Sequence, residues 1–334
     1  MLNVKCSYVA IAIILFVPLK MSSQHINNGF LSFGDPDTKP LSINSSGNLK
    51  SPYYYDVNTN TWKKLTYKRN TEPQPYDLFS QIAVDGDGSN EWNLSGTISI
   101  TNSKNGLNLT MVNQTIDQSE FSTNSGTIVV SGDISIGTNS FTLTHSYSLE
   151  DSKKFIKIKT TLTNTGTRSA TNIRFWVGTN DDFIGGTDRP TKIRSNIINS
   201  SLVSITTVTQ RSRALEISSN NEGVLFFSTY PKANTVVTGY GFNYLPATRI
   251  NPSTASNQIE TINQDSSYAL FFRLNDLEQN ESDSFTWYYA ASPISEFNDI
   301  IEDVFKDTPP TVELTDNDSD NILISDDSVL VTAT

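Results

Sequence analysis

Residues 141–150, FTLTHSYSLE, and 155–162, FIKIKTTL, decide the fold. Apolar and polar residues alternate one for one in them. Phe141, Leu143, His145, Tyr147 and Leu149 share one face of the first run, as in a strand with one side against a core. The rhythm extends outward to 96–101, 107–112, 127–130 and 133–136, with Gly132, Gly137 and Asn139 as punctuation. Further strands are expected over 173–177, 214–217, 224–229, 268–274 and 284–290. No helical period intervenes, so the chain reads as all-β, a large antiparallel β-sandwich. Residues 24–93, with Pro36, Pro40, Pro52, Pro73 and Pro75, read as loops with a few short strands.

One helix is expected. Ser292 can cap it, Pro293 suits its first position, and Ile294, Phe297, Ile300, Ile301, Val304 and Phe305 recur at helical spacing. Before the sandwich, Lys5 precedes an apolar run over 8–18, which reads as a secretory signal over 1–23. That run is shorter than the roughly 20 residues of a membrane span. The reading is therefore a secreted or cell-surface protein with no membrane span in the mature chain. Its removal takes away Cys6, the single cysteine, and with it disulfides, thiolate metal sites and cysteine nucleophiles. The formal charge of −11 becomes −11 − 2 = −13 once Lys5 and Lys20 are gone, a field that excludes nucleic acid as a partner.

The sandwich is expected over 24–307, with Pro309 and Pro310 marking a linker over 308–310. Residues 311–334, TVELTDNDSDNILISDDSVLVTAT, resemble with Pro310 the opening of the Ig-like repeats found in tandem in large bacterial surface proteins. That resemblance implies a truncated Ig-like repeat and an adhesin-like whole. Asp316, Asp318 and Asp320 offer alternating oxygens there, and calcium is the candidate cation. A second resemblance lies in 155–182, FIKIKTTLTNTGTRSATNIRFWVGTNDD, which is similar to a strand-turn-strand segment of galactose mutarotase-like supersandwich domains. It implies a supersandwich scaffold. Its Asn164-Thr165-Gly166 turn reads as a tight hairpin whose Asn and Gly take positive φ. Catalytic members carry a histidine in the next strand, where this sequence has Phe175, Trp176 and Gly178.

Chemistry could reside in 176–190, where a strand ends in a loop holding Asp181, Asp182, Asp188 and Arg189 beside Trp176. Carboxylates bind sugar hydroxyls or a hard cation, and an aromatic face stacks on a sugar ring. The same residues also suit a packed loop in which Arg189 pairs with Asp181 or Asp182. His145, on an apolar face, reads as structural, and no catalytic residue is assigned. Residues 85–90 resemble a calcium loop without its closing Glu and read as a turn. The leading expectation is a non-catalytic binding or adhesion module directed at a glycan or extracellular matrix. The alternatives are a carbohydrate-active lyase, epimerase or hydrolase on a supersandwich, and a structural surface component.

Overall fold

The computed structural model describes residues 25–66, 77–88, 94–100, 111–122, 124–179, 181–239, 259–306, 312–315 and 330–333. The expectation of an all-β antiparallel sandwich is met. A ten-stranded sheet carries the runs read first: Phe155–Asn164 pairs with Asn139–Leu149 on one side and with Ser282–Pro293 on the other. A five-stranded sheet has the order Ala233–Gly239, Ser266–Arg273, Arg174–Thr179, Phe79–Gly88 and Leu94–Ile100. The core carries side chains of both sheets. Leu143, Tyr147, Ile158, Phe226, Trp287 and Tyr289 come from the large one, and Ile82, Phe175, Val177, Leu270 and Phe272 from the small one. Aromatic rings fill much of it, with Phe272 stacked on Phe285 at 4.0 Å and Phe226 edge-on to Trp287 at 5.5 Å.

The large sheet also buries its second face, because residues alternating with the core positions are apolar there. Phe155, Phe227, Tyr288 and Ala290 meet Phe297, Ile300, Ile301 and Val304 of a C-terminal helix, Phe297–Lys306. That helix starts later than expected. The preceding strand runs on through Pro293, a 3-10 turn covers Ile294–Glu296, and the Ser292 hydroxyl turns to the Pro293 carbonyl at 3.0 Å instead of capping.

The N-terminal region is more ordered than its prolines suggest. Ile26–Asn27, Leu31–Phe33, Pro52–Asp56 and Thr61–Lys64 form a four-stranded sheet, and Ile26, Leu31, Phe33 and Tyr54 join the main core. The stretch read as a turn at Asp85 lies inside the strand Phe79–Gly88, as an irregularity in its pairing with the next strand. Gly132 is no turn either. It lies within the continuous strand Ser125–Ile136, where a Cβ would come within 2.2 Å of the Met111 side chain, so the glycine admits a close approach.

The segment after Asn164 is not a tight hairpin. It carries the chain from the large sheet to the small one, and Asn164 has no positive φ. Asn164 is instead a buried anchor, its Nδ2 donating to the Arg168 and Leu277 carbonyls at 2.7 and 2.9 Å. At the C-terminus, Val312–Thr315 and Leu330–Ala333 pair as a two-stranded sheet. Asp316, Asp318 and Asp320, the expected calcium ligands, lie outside the described residues, as do the signal over 1–23 and the linker over 308–310.

Candidate functional site

The strand Arg174–Thr179 ends in a segment that folds back on itself. Thr179 Oγ1 donates to the Asp181 carbonyl at 2.9 Å, and the Asp182 amide donates to Asp181 Oδ1 at 2.9 Å. Gly185 and Gly186, with φ of +57° and +84°, form the two central residues of a tight hairpin closed by reciprocal 3.1 Å bonds between Ile184 and Thr187. The hairpin is pinned by Asn220 Nδ2, which donates to the Gly185 carbonyl at 2.6 Å. The chain then enters the strand Thr191–Ile198.

This path turns two adjacent aspartates inward. Asp181 and Asp182 are 2 % and 1 % exposed, and Asp265, just before the strand Ser266–Arg273, joins them half-buried. Each of the three presents a carboxylate oxygen within 4.8 Å of the others. Lys192 is also fully buried, and its Nζ contacts Asp182 Oδ2 and donates to the Gln264 carbonyl at 2.6 Å. Asp182 Oδ1 and Asp265 Oδ1 are buried with no hydrogen-bond donor among the described residues. The spacing suits a hard cation, but Lys192 already supplies a positive charge there.

Three carboxylates against one ammonium, in a place with little water, favour retention of a proton. Burial pushes the Asp181 carboxyl up to about 7, and the nearby charges of Asp265 and Asp188 push it the same way. Burial also raises Asp182 and Asp265. Lys192 opposes the shift at Asp182 through its direct contact.

Of the sequence-selected residues, Asp181 and Asp182 come together. Asp188 and Arg189 are exposed and act on Asp265 through their charges, so they sit at the rim. The role given to Arg189 as ion partner falls to Lys192. Trp176 does not join the cluster: its ring packs edge-on against Phe79 at 5.0 Å, on the face turned away from core residues Phe175 and Val177. His145 is 1 % exposed, with Nδ1 against Thr160 Oγ1 at 2.9 Å, and burial alone lowers its pKa to about 3. It touches no carboxylate, so the acid cluster and the histidine do not converge.

The architecture, an antiparallel β-sandwich, is one that solved structures share. Among solved structures, a bacterial glucoamylase complexed with acarbose is similar at 9% identity, covering 85% of this chain and 34% of that one, with a TM-score of 0.50. A galactose mutarotase-like protein from Clostridium acetobutylicum is similar at 10% identity over 80% and 94% of the two chains, with a TM-score of 0.41. A protein described as an aldose 1-epimerase from Escherichia coli K12 is similar at 8% identity over 81% and 99%, with a TM-score of 0.46. By sequence, no family model and no curated protein matches the chain. These neighbours correct the leading expectation. The neighbour with a TM-score of 0.50 is described as a glucoamylase rather than an adhesion module.

Proposed function

We propose that the chain is a carbohydrate-active enzyme on a supersandwich scaffold that interconverts the anomers of an aldose: an acid protonates the ring oxygen as the C1–O5 bond breaks, a base takes the proton of the anomeric hydroxyl, and the open aldehyde recloses with both protons returned. The observation that carries this is the Asp181, Asp182 and Asp265 cluster with Lys192. Its oxygens lie within 4.8 Å of one another. Glycosidases hold their two carboxyl groups roughly 5 to 5.5 Å or 6.5 to 9.5 Å apart, on opposite sides of the bond they cut. A tighter group suits one acid and one base that serve the two oxygens of a single anomeric carbon. Asp181, poised at about 7, is the acid; Asp182, in contact with Lys192, is the base; half-buried Asp265 faces the rim with Asp188 and Arg189. The glucoamylase neighbour, solved with acarbose, supports a sugar as the ligand class.

The test is a panel of aldoses and oligosaccharides followed by proton NMR, which separates anomeric exchange or epimerisation from hydrolysis. Acceleration is expected, with a loss of about 10²- to 10⁴-fold in Asp181→Asn. Hydrolysis alone, or no acceleration on any sugar, sinks the proposal. The charged-then-apolar order of residues 5–18 supports export, which N-terminal sequencing of the mature chain tests.

A further inference from the structure

Arg174 begins its strand on the opposite face from core residue Phe175 and is 0 % exposed. Its Nη1 donates to the Asn172 carbonyl, whereas Nε and Nη2 are buried with no acceptor among the described residues. A guanidinium cannot shed its charge in ordinary conditions, so orphan donors there are costly. Directly across the strand pair lies Arg273. Its Nη2 donates to Asn172 Oδ1 at 2.6 Å and its Nη1 to the Ile173 carbonyl at 3.1 Å, so the two guanidinium groups converge on one residue. Lys232 borders the pair, its carbonyl accepting the Arg273 amide at 3.0 Å.

Nothing acidic answers this charge at Arg174. Among the described residues no salt bridge joins it to a carboxylate. Asp276 acts on it only through space, with one oxygen taken by the Asn172 amide at 2.7 Å. In a chain of net charge −11, two adjacent arginines without a paired acid at the buried one are an anomaly to be explained. Two residues along the same face stands Trp176, paired in register with Phe271. Both rings are buried, so they wall the arginines without offering a face to a ligand.

We propose that Arg174 and Arg273 form an oxyanion site for a carboxylate or sulfate group. The site stands on the orphan donors of Arg174 and is independent of the carbohydrate reading above. Planar guanidinium donors match an oxyanion in a way a point charge does not.

The test is thermal melting of the full chain at constant ionic strength, set with sodium chloride, in the presence of sodium sulfate, sodium glucuronate or glucose. Sulfate and glucuronate are expected to raise the melting temperature by about 2 to 4 °C at saturating concentration, with glucose inert. Arg174→Gln should abolish the rise while folding, because it removes a buried charge; Arg174→Lys, which keeps the charge and loses the fork, should weaken it. A wild-type protein indifferent to all three compounds overturns the site and assigns the orphan donors to water. A rise that persists in Arg174→Gln overturns it as well. A rise with sulfate alone is an adventitious ion only and overturns the proposal. None of these readings involves turnover, so they stand or fall apart from the Asp181→Asn assay.

Discussion

Asn164 holds two carbonyls, those of Arg168 and Leu277, from two stretches far apart in sequence. Its Oδ1 meanwhile takes the Gly166 amide at 3.0 Å. Asn164→Ala should strand those groups and cost about 1 to 3 kcal/mol, read as a lower urea midpoint. An unchanged midpoint would mean that water replaces the side chain. Lys192 is a stronger case, being among the described residues the one ammonium in contact with buried Asp182. Lys192→Met should cost about 3 to 5 kcal/mol at pH 8, where the carboxyl left without its partner must either ionise in the interior or hold a proton far above its ordinary pKa, and less at pH 5, where it keeps a proton more easily. An equal loss at both pH values would show that the lysine acts by packing rather than by charge.

At the level of strands and helices, the helix Phe297–Lys306 is held by its packing rather than by a side-chain cap. Ile301, 0 % exposed, sits among Phe155, Phe227, Tyr288 and Ala290. Ile301→Ala should cost about 2 to 5 kcal/mol by calorimetry or denaturant melting. A loss under 1 kcal/mol would mean that the helix is dispensable to the sheet beneath. This helix and the strands at 141–149 and 155–162 were legible because one face of each is apolar and the other polar. The strand Thr191–Ile198 was not, since its inward residues include Lys192 and Arg194 while Ile193 is only half-buried, the inverse of the usual pattern. Phe79–Gly88 was missed for another reason: from Phe79 to Val84 both faces are buried, so no alternation marks it. The site was half legible. Asp181 and Asp182 stood out in their loop, but Asp265 and Lys192 reach them only through pairing between Thr191–Ile198 and Glu260–Thr261, a register no local pattern reveals.

For the molecule as a whole, two buried groups should shape stability against pH in opposite directions. His145, lowered from 6.5 to about 3, favours the folded state when neutral. Its contribution is complete above pH 6.5 and is lost on acidification, by about 2 kcal/mol at pH 5. Asp181, raised from 3.8 to about 7, contributes fully below pH 3.8 and loses that contribution as pH climbs toward 7. Between pH 4 and 6.5 the two slopes oppose each other. Relative to the wild type, Asp181→Asn should tilt the profile toward a rise with pH over that interval, and His145→Asn toward a fall. Identical profiles in all three proteins would refute both assignments.

The order in which the chain visits its two main sheets has its own consequence. It leaves the small sheet after Leu94–Ile100, returns for Arg174–Thr179, goes back again at Ala233–Gly239 and once more at Ser266–Arg273, and reaches Ser282–Pro293, inside the large sheet, late. No contiguous half therefore contains a finished layer. A nascent polypeptide emerging from the ribosome cannot close its interior until residue 293 has cleared the exit tunnel, so premature stops upstream of that strand should yield degraded or chaperone-bound products rather than smaller native proteins.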